Sequence, residues 1–150
     1  MDVAAPGVAW RRCLQDGNNL TGADLTGANI KSASFKRAVL DGAHLANVEA
    51  RDAKFVSASM QGAVLDGAKL DMSDFTSADL SNASFKAASL RRAKLYDAIL
   101  KGVDFTDAIL TEADFTRADL SGARWTDGVT VCAEGSIGQC HPSRSGTASQ

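Results

Sequence analysis

Three residues near the C-terminus carry side chains that could bind a metal or form a covalent bond: Cys132, Cys140 and His141. A structural zinc site needs four ligands, usually in closely spaced pairs, and the remaining cysteine, Cys13, is at the other end of the chain. The two C-terminal cysteines enclose seven residues, two of them glycine, which gives the segment enough freedom for the sulfur atoms to meet. A Cys132–Cys140 disulfide is therefore favoured over a metal site, and free thiols are the third alternative.

The sequence contains none of the residue patterns that common catalytic sites require. His44 occupies an outward position and is interpreted as a surface histidine rather than a general base. The sequence contains no phosphate-binding glycine loop, no nucleophile elbow and no HExxH pair. Carboxylates occur in pairs, but no loop insertion is present that could form a cleft around them. We therefore predict that the protein is not an enzyme and has no catalytic residues, no cofactor and no metal.

A five-residue period positions most of the side chains. From Asn18 to Asp127 every fifth residue is large and apolar except Ala50, and alanine stands two residues earlier in 18 of the 22 units. On an α-helix five residues advance about 500°, so these residues would not share a face. On a continuous strand they would alternate between the two faces. The period therefore predicts a chain that turns every five residues and forms stacked coils, a solenoid.

Several segments have a recognisable repeat signature: "NLTGADLTGANI", "SADLSNASF" and "TEADFTRADLSGARW". They resemble the A-(D/N)-L-x-x signature of the pentapeptide repeat proteins. The resemblance implies an all-β fold, a right-handed quadrilateral β-helix with four units in each coil. On that basis the repeat would form about 5.5 coils, and at ~4.8 Å per stacked strand the rod would be roughly 26 Å long.

Four units per coil would stack residues that are 20 apart in the sequence. One predicted core ladder consists of Phe35, Phe55, Phe75, Leu95 and Phe115. One predicted column of type II turns, with glycine or asparagine at positive φ, consists of Gly22, Gly42, Gly62, Asn82, Gly102 and Gly122. The corner that lacks both residue types is predicted to have negative φ throughout; it consists of Arg37, Ser57, Ser77, Asp97 and Arg117.

The ends of the solenoid are predicted to be capped, because an open end would expose apolar side chains and unpaired strand edges. Residues 1–17 form the predicted N-terminal cap, in which Trp10 and Leu14 cover the first coil and Cys13 is a small buried residue. Residues 18–127 form the repeat. Residues 128–150 form a C-terminal cap, which covers Trp125, followed by a disordered tail from residue 141.

The compartment is predicted from two observations that disagree. The chain has no signal-peptide core and no apolar run of membrane-spanning length, which favours a cytoplasmic protein. A paired-cysteine tail after the last coil resembles that of some exported pentapeptide repeat proteins, and a disulfide suits the periplasm or another oxidising compartment. The net charge of −2 implies no bulk attraction to nucleic acid or membranes.

Two functions are compatible with such a rod. The first is a rigid scaffold, a monomer or weak dimer, that presents ladders of side chains to a protein partner. Outward Val39, Val64, Ile99 and Ile109 would then be partner contacts, or else scattered surface residues. The alternative is suggested by the resemblance: some pentapeptide repeat proteins imitate DNA, bind DNA gyrase or topoisomerase and confer resistance to inhibitors. Such imitation needs a strongly acidic rod, and Arg91, Arg92, Lys94 and Arg117 on one side would argue against it.

Overall fold

The backbone repeats one short motif from Pro6 to Asp127. The computed structural model describes residues 2–143. Within that range no helix and no strand longer than two residues occurs; each five-residue unit contributes one extended bridge residue and a two-residue turn. The bridges are parallel and join residues 20 apart, from Ala9↔Asn29 to Asp104↔Arg124. Each coil therefore contains four units, and the fold is a β-solenoid.

Backbone hydrogen bonds run along the solenoid axis and join each coil to both neighbours. The Phe55 N–H donates to the Asp74 carbonyl (2.7 Å), and the Asp74 N–H donates in turn to the Ala53 carbonyl (3.0 Å). The same pattern recurs at every unit of the central coils. Proline has no N–H to donate, which explains why none occurs between residues 18 and 127.

Every corner of the coil has the same turn geometry. The Ala23 N–H donates to the Leu20 carbonyl (3.0 Å), which closes a four-residue turn. Its third residue has positive φ, as in a type II turn, and in the predicted turn column, Gly22 to Gly122, φ lies between 61° and 74°. The prediction of negative φ in the corner of Arg37, Ser57, Ser77, Asp97 and Arg117 is wrong: φ there is 56° to 59°. The inter-coil hydrogen bonds impose one turn geometry on all corners, whatever residue stands there.

The interior is filled by the alanines and by the large central residues. Phe35 and Phe55 stack with ring centroids 5.2 Å apart, and Phe55 and Phe75 with centroids 4.9 Å apart. Leu95 continues this ladder and is fully buried. Phe115, at the end of this ladder, is only partly buried, and its ring centroid lies 5.8 Å from that of Trp125. A second stack, Phe85 on Phe105, occupies the opposite side of the core.

The coil geometry begins before the predicted repeat boundary. Turns are present from Pro6 onward, so residues 6–17 follow the solenoid path instead of forming a separate lid. Trp10 occupies a central position, is 2% exposed, and donates from Nε1 to the Asp2 carbonyl (2.9 Å). Leu14 does not cover the first coil: it is 72% exposed, because it is the outward bridge residue paired with Ser34. Cys13 is partly buried against the core.

The C-terminal segment folds back over part of the last coil. Three antiparallel bridges hold it: Asp119↔Ile137, Arg124↔Val131 and Cys132↔Pro142. Cys132 and Ser136 are buried in this segment, which we call the C-terminal cap (residues 128–143). Leu110 and Phe115, on the other two sides of the last coil, remain partly exposed. The tail predicted to be disordered lies largely outside the described residues, since the description ends at residue 143.

Candidate interaction surfaces

The outward side chains form columns on four sides of the solenoid. Because bridged residues are 20 apart, residues that differ by 20 share a column, and residues that differ by ten lie on opposite sides. Side chains that are distant in the sequence therefore combine into continuous surfaces. The charges of the first three coils are distributed very unevenly over these sides.

One side of these coils is strongly basic. We define the basic patch as residues 11–17, 31–37 and 51–57. It contains seven bases against two acids, a net charge of +5: Arg11, Arg12, Lys31, Lys36, Arg37, Arg51 and Lys54 against Asp16 and Asp52. Among the described residues, only Lys31 of the seven has an ion-pair partner, Glu49 at 3.9 Å. The other six bases form no ion pair within the described residues.

Asp16 keeps its negative charge in this patch while it joins two coils. It accepts hydrogen bonds from the Ser34 hydroxyl (2.5 Å) and the Lys36 backbone N–H (3.1 Å). The hydrogen bond from Ser34, with that from the Lys36 amide and the nearby cations, lowers the pKa of Asp16 below its usual value. Its carboxylate is thus engaged in joining one coil to the next.

The opposite side of the same coils is acidic. We define the acidic patch as residues 21–27, 41–47 and 61–67; it contains Asp24, Asp41 and Asp66 and no lysine or arginine. Asp41 accepts hydrogen bonds from the Ser59 hydroxyl (2.6 Å) and the Gln61 N–H (2.9 Å). His44 is exposed on this patch. The hydrogen bond from Thr26 is the main cause that lowers the pKa of Asp24, and the charge of His44 contributes in the same direction.

Aspartate and serine 18 residues apart bond across the gap between coils. The pairs are Asp16–Ser34, Asp41–Ser59, Asp66–Ser84 and Asp71–Ser89. The five-residue period alone does not predict these pairs. Their fixed 18-residue spacing is the signal that could have revealed them, because it places the serine two residues short of one full coil.

In the C-terminal half the bases are largely paired. Arg117 makes two hydrogen bonds to Asp97, from Nε (2.7 Å) and from Nη2 (3.0 Å). Arg92 donates from Nε to Glu112 (2.7 Å). Both pairs join residues 20 apart on the side that continues the basic patch. There the charges cancel, so the strong positive field is confined to the first three coils.

One depression is present on the C-terminal half of the described solenoid. A shallow depression of about 300 Å³ lies beside the Arg92–Glu112 pair and is lined also by Asp71, Met72, Arg91 and Thr111. In residues 2–143 no cluster of histidine, cysteine and acidic residues has the geometry of a metal site. No helix in that range could cross a bilayer.

The outward apolar residues do not form one surface. Ile99 and Ile109 are each 39% exposed and lie on opposite sides of the solenoid. Val39 shares the column of Ile99, but Ser59 and Asp79 separate them. Val64 is in a third column and is partly buried. Their arrangement corresponds to scattered surface residues.

Cys132 and Cys140 are joined by a disulfide in the C-terminal cap. The bond links the buried bridge residue Cys132 to Cys140, and the Cys132 carbonyl also accepts a hydrogen bond from the Gly122 N–H (2.9 Å). The backbone of His141 helps to hold the C-terminal cap: its N–H donates a hydrogen bond to the Ser136 hydroxyl (3.1 Å). The distant Cys13 is a free thiol.

Stacked five-residue units, inward alanines and large apolar residues, and flat outward columns define a β-solenoid repeat protein. The profile described as "Pentapeptide repeats" matches the chain in eight copies, over residues 19–55, 33–71, 58–95 and 88–124. The chain belongs to the pentapeptide repeat family. No curated protein sequence matches it.

Solved structures show the same fold. HetL, a pentapeptide repeat protein involved in heterocyst differentiation regulation from the cyanobacterium Nostoc sp. strain PCC 7120, is 29% identical with a TM-score of 0.50. The match covers 80% of this chain and 67% of HetL. QnrB1, a plasmid-mediated fluoroquinolone resistance protein, is 22% identical in a trypsin-treated form with a TM-score of 0.57. That match covers 75% of this chain and 62% of QnrB1, so the chain spans less than two thirds of that structure.

Proposed function

We propose that the protein is a non-enzymatic, rigid β-solenoid scaffold that presents side-chain ladders to a protein partner. The observation that carries this proposal is the fixed 20-residue column spacing, which holds outward residues in register on four flat sides. Preorganised side chains lose little conformational entropy on binding, which favours association. The family match indicates no catalytic family, and the likeness to HetL, a protein involved in regulation, is compatible with a binding role.

We further propose that the coil is right-handed and quadrilateral and that the predicted repeat forms about 5.5 coils. The four bridge columns and the repeated turns support a four-sided cross-section. Flat sides follow from this shape, and flat sides suit a broad partner surface better than a small ligand.

The alternative function, imitation of DNA by an inhibitor-resistance protein that binds DNA gyrase or topoisomerase, has weaker support. QnrB1 is only 22% identical to this chain, so the likeness supports a shared fold and not a shared function. Arg91, Arg92, Lys94 and Arg117 lie on one side, where acidic residues offset their charge, so this side is not the clean acidic stripe that imitation of DNA would need. The first three coils also have a +5 patch on that side. A basic channel for DNA would repel this side of the rod.

The proposal is tested by site-specific photo-cross-linking in the native host. One outward residue per side is replaced by a photoreactive amino acid: Ser59, Lys69, Ser84 or Lys94, all of them bridge residues of the central coils. We expect one defined protein to be cross-linked from one or two adjacent sides and not from the others. Equal cross-linking from all four sides, or from none, would contradict a scaffold with a defined binding face. Recovery of gyrase or topoisomerase subunits would establish the alternative.

We propose an oxidising compartment, such as the periplasm, rather than the cytoplasm. The support is the Cys132–Cys140 disulfide, since such bonds persist in oxidising surroundings. Trapping free thiols with iodoacetamide in intact host cells tests this. Modification of both cysteines would indicate reduced thiols and a cytoplasmic location.

A further inference from the structure

The basic patch concentrates exposed cations on three consecutive coils. Arg11, Arg12, Arg37, Arg51 and Lys54 are all exposed. Successive coils are separated by ~4.8 Å, so the backbone positions of the patch span only about 10 Å along the axis. Asp16 and Asp52 are the acids of the patch, and against its seven bases they leave a net charge of +5. The result is a dense positive surface on a rigid support.

An exposed leucine lies within this positive surface. Leu14 is 72% exposed and occupies the outward position between the turn of Arg11 and Arg12 and the turn of Asp16. Its column continues through Ser34 to Lys54. The fold does not need Leu14 for its core, because the central residue of that unit is the buried Gln15. A single exposed apolar side chain is ordinary on a protein surface; what distinguishes Leu14 is its place among exposed cations on three consecutive coils.

We propose that the basic patch binds the surface of an anionic lipid bilayer, with Leu14 entering the headgroup region. Clustered lysine and arginine residues are attracted to anionic lipids, and an apolar side chain adds a second, non-electrostatic contribution. One flat side of a rod can bring all of its cations to a planar surface at once. The acidic patch, half a coil away, then faces the solvent and fixes the orientation of the rod. This inference goes beyond the proposed scaffold function and does not depend on it.

Two other anionic partners fit the patch less well. A nucleic acid would offer phosphates to the cations but no apolar surface to Leu14. The patch also has no exposed aromatic ring on which bases could stack, because Trp10 is 2% exposed and inside the core. An acidic protein surface would match the charge but, unlike a bilayer, has no continuous apolar layer beneath it for Leu14. A bilayer also needs no stacking platform.

The test is co-sedimentation of the whole purified chain with vesicles. The vesicles contain phosphatidylcholine alone or phosphatidylcholine with about 30% phosphatidylserine, an anionic content that gives a negative surface potential. We expect binding to the anionic vesicles only, and release as NaCl is raised from roughly 0.05 M to 0.5 M, because salt screens the attraction. Equal binding to neutral vesicles, or none to anionic vesicles, would overturn the proposal.

Matched variants identify the surface responsible. The triple variant Arg11→Gln, Arg51→Gln and Lys54→Gln should weaken binding by about 100-fold, since each cation near an anionic bilayer contributes about fivefold. The control, Lys69→Gln, Lys86→Gln and Lys101→Gln, makes the same charge change on other sides and should bind like the unmodified protein. Equal loss in both triple variants would mean that only total charge matters and would overturn the assignment to the basic patch.

The contribution of Leu14 is tested separately. Leu14→Ser should weaken binding by about fivefold without changing the salt dependence, because it removes apolar contact and no charge. Val129→Ser is the control, since Val129 is 69% exposed at the other end of the solenoid. Circular dichroism verifies that each variant is folded. Tighter binding to a single-stranded DNA oligonucleotide or to poly-L-glutamate than to anionic vesicles at the same salt would assign the patch to a nucleic acid or to an acidic protein instead.

Discussion

At the scale of the residue, turn geometry outweighs side-chain preference. Among residues 2–143, fifteen non-glycine residues have positive φ, between 56° and 61°. Met72, Ala87 and Arg92 are among them, although L-residues reach this region only at a cost of about 1 kcal/mol or more. Their strain is tolerated because inter-coil hydrogen bonds on both sides hold the turn. These positions are therefore the places where stability can be gained.

Neighbouring alanines make a sharp test of this strain. Ala87→Gly should stabilise the protein by up to about 1 kcal/mol, because glycine adopts positive φ without the Cβ clash. Ala88→Gly should destabilise it, because Ala88 has no positive φ and its methyl group is fully buried. Urea unfolding monitored by circular dichroism measures both. Destabilisation by both substitutions would show that Ala87 is not strained.

At the scale of the element, each coil depends on the large residues stacked beneath and above it. Phe75 lies at the meeting point of the aromatic core: it stacks on Phe55 and meets Phe85 edge to face, with centroids 5.9 Å apart. Such pairs contribute beyond simple burial. Loss of the Phe75 ring should therefore destabilise both the Phe35–Phe55–Phe75 stack and the Phe85–Phe105 stack.

Phe75→Ala should lower the free energy of unfolding by roughly 3–5 kcal/mol, because it removes a fully buried ring and leaves a cavity. Leu14→Ala, at an exposed position, should change it by less than about 0.5 kcal/mol. Denaturant unfolding measures the two values. A similar small effect for both would place Phe75 outside the packed core.

The C-terminal cap should loosen on reduction while the coils stay folded. Breaking the Cys132–Cys140 bond frees residues 133–139, whereas the coil bridges do not pass through these cysteines. Hydrogen exchange should therefore accelerate at Cys132 and Ser136 but not at Phe55 or Phe75 after dithiothreitol treatment. Unchanged exchange, with both cysteines already reactive toward iodoacetamide before reduction, would show that the bond is absent in solution.

At the scale of the whole molecule, the aspartates make stability depend on pH. Hydroxyl donors are the main cause that lowers the pKa of Asp16, Asp24, Asp114 and Asp119; the donors are Ser34, Thr26, Thr116 and Ser121. A carboxyl whose pKa is lower when folded stabilises the fold above its unfolded pKa, about 3.9. That stabilisation is lost as the pH falls through the lower folded pKa.

The thermal midpoint should therefore vary little with pH from about 5 to 8 and fall steadily below about 4, as these carboxylates become protonated. Differential scanning calorimetry across this range measures the profile. A midpoint that stays constant or rises between roughly pH 4 and 2 would mean that the carboxylates do not support the fold.

The five-residue period predicts the solenoid, but it does not predict where the coils begin, which way Leu14 points, the φ of Arg37 or the distribution of charge. The coil path at Trp10 was hidden because the next central residue is Gln15, which is polar yet 7% exposed. Leu14 was assigned to the cap from its apolarity, whereas its place in the register points it outward. The φ of Arg37 could not follow from its residue type, since the neighbouring coils decide it. The basic patch emerged only when residues 20 apart were combined by side, because the total charge of −2 conceals it.

The 20-residue coil constrains how such a chain can change in length. A duplication of 20 residues adds one coil and leaves every downstream side chain on its original side. Insertion of a single five-residue unit would keep the core pattern intact but move every downstream outward residue to the adjacent side. Inserted between Asp16 and Lys31, it would separate Arg11 and Arg12 from the other cations of the basic patch and mismatch Asp16 with Ser34, although composition, burial and period would be nearly unchanged. Lineages that depend on a particular side should therefore gain or lose whole coils, and a change by one unit should coincide with a change of partner.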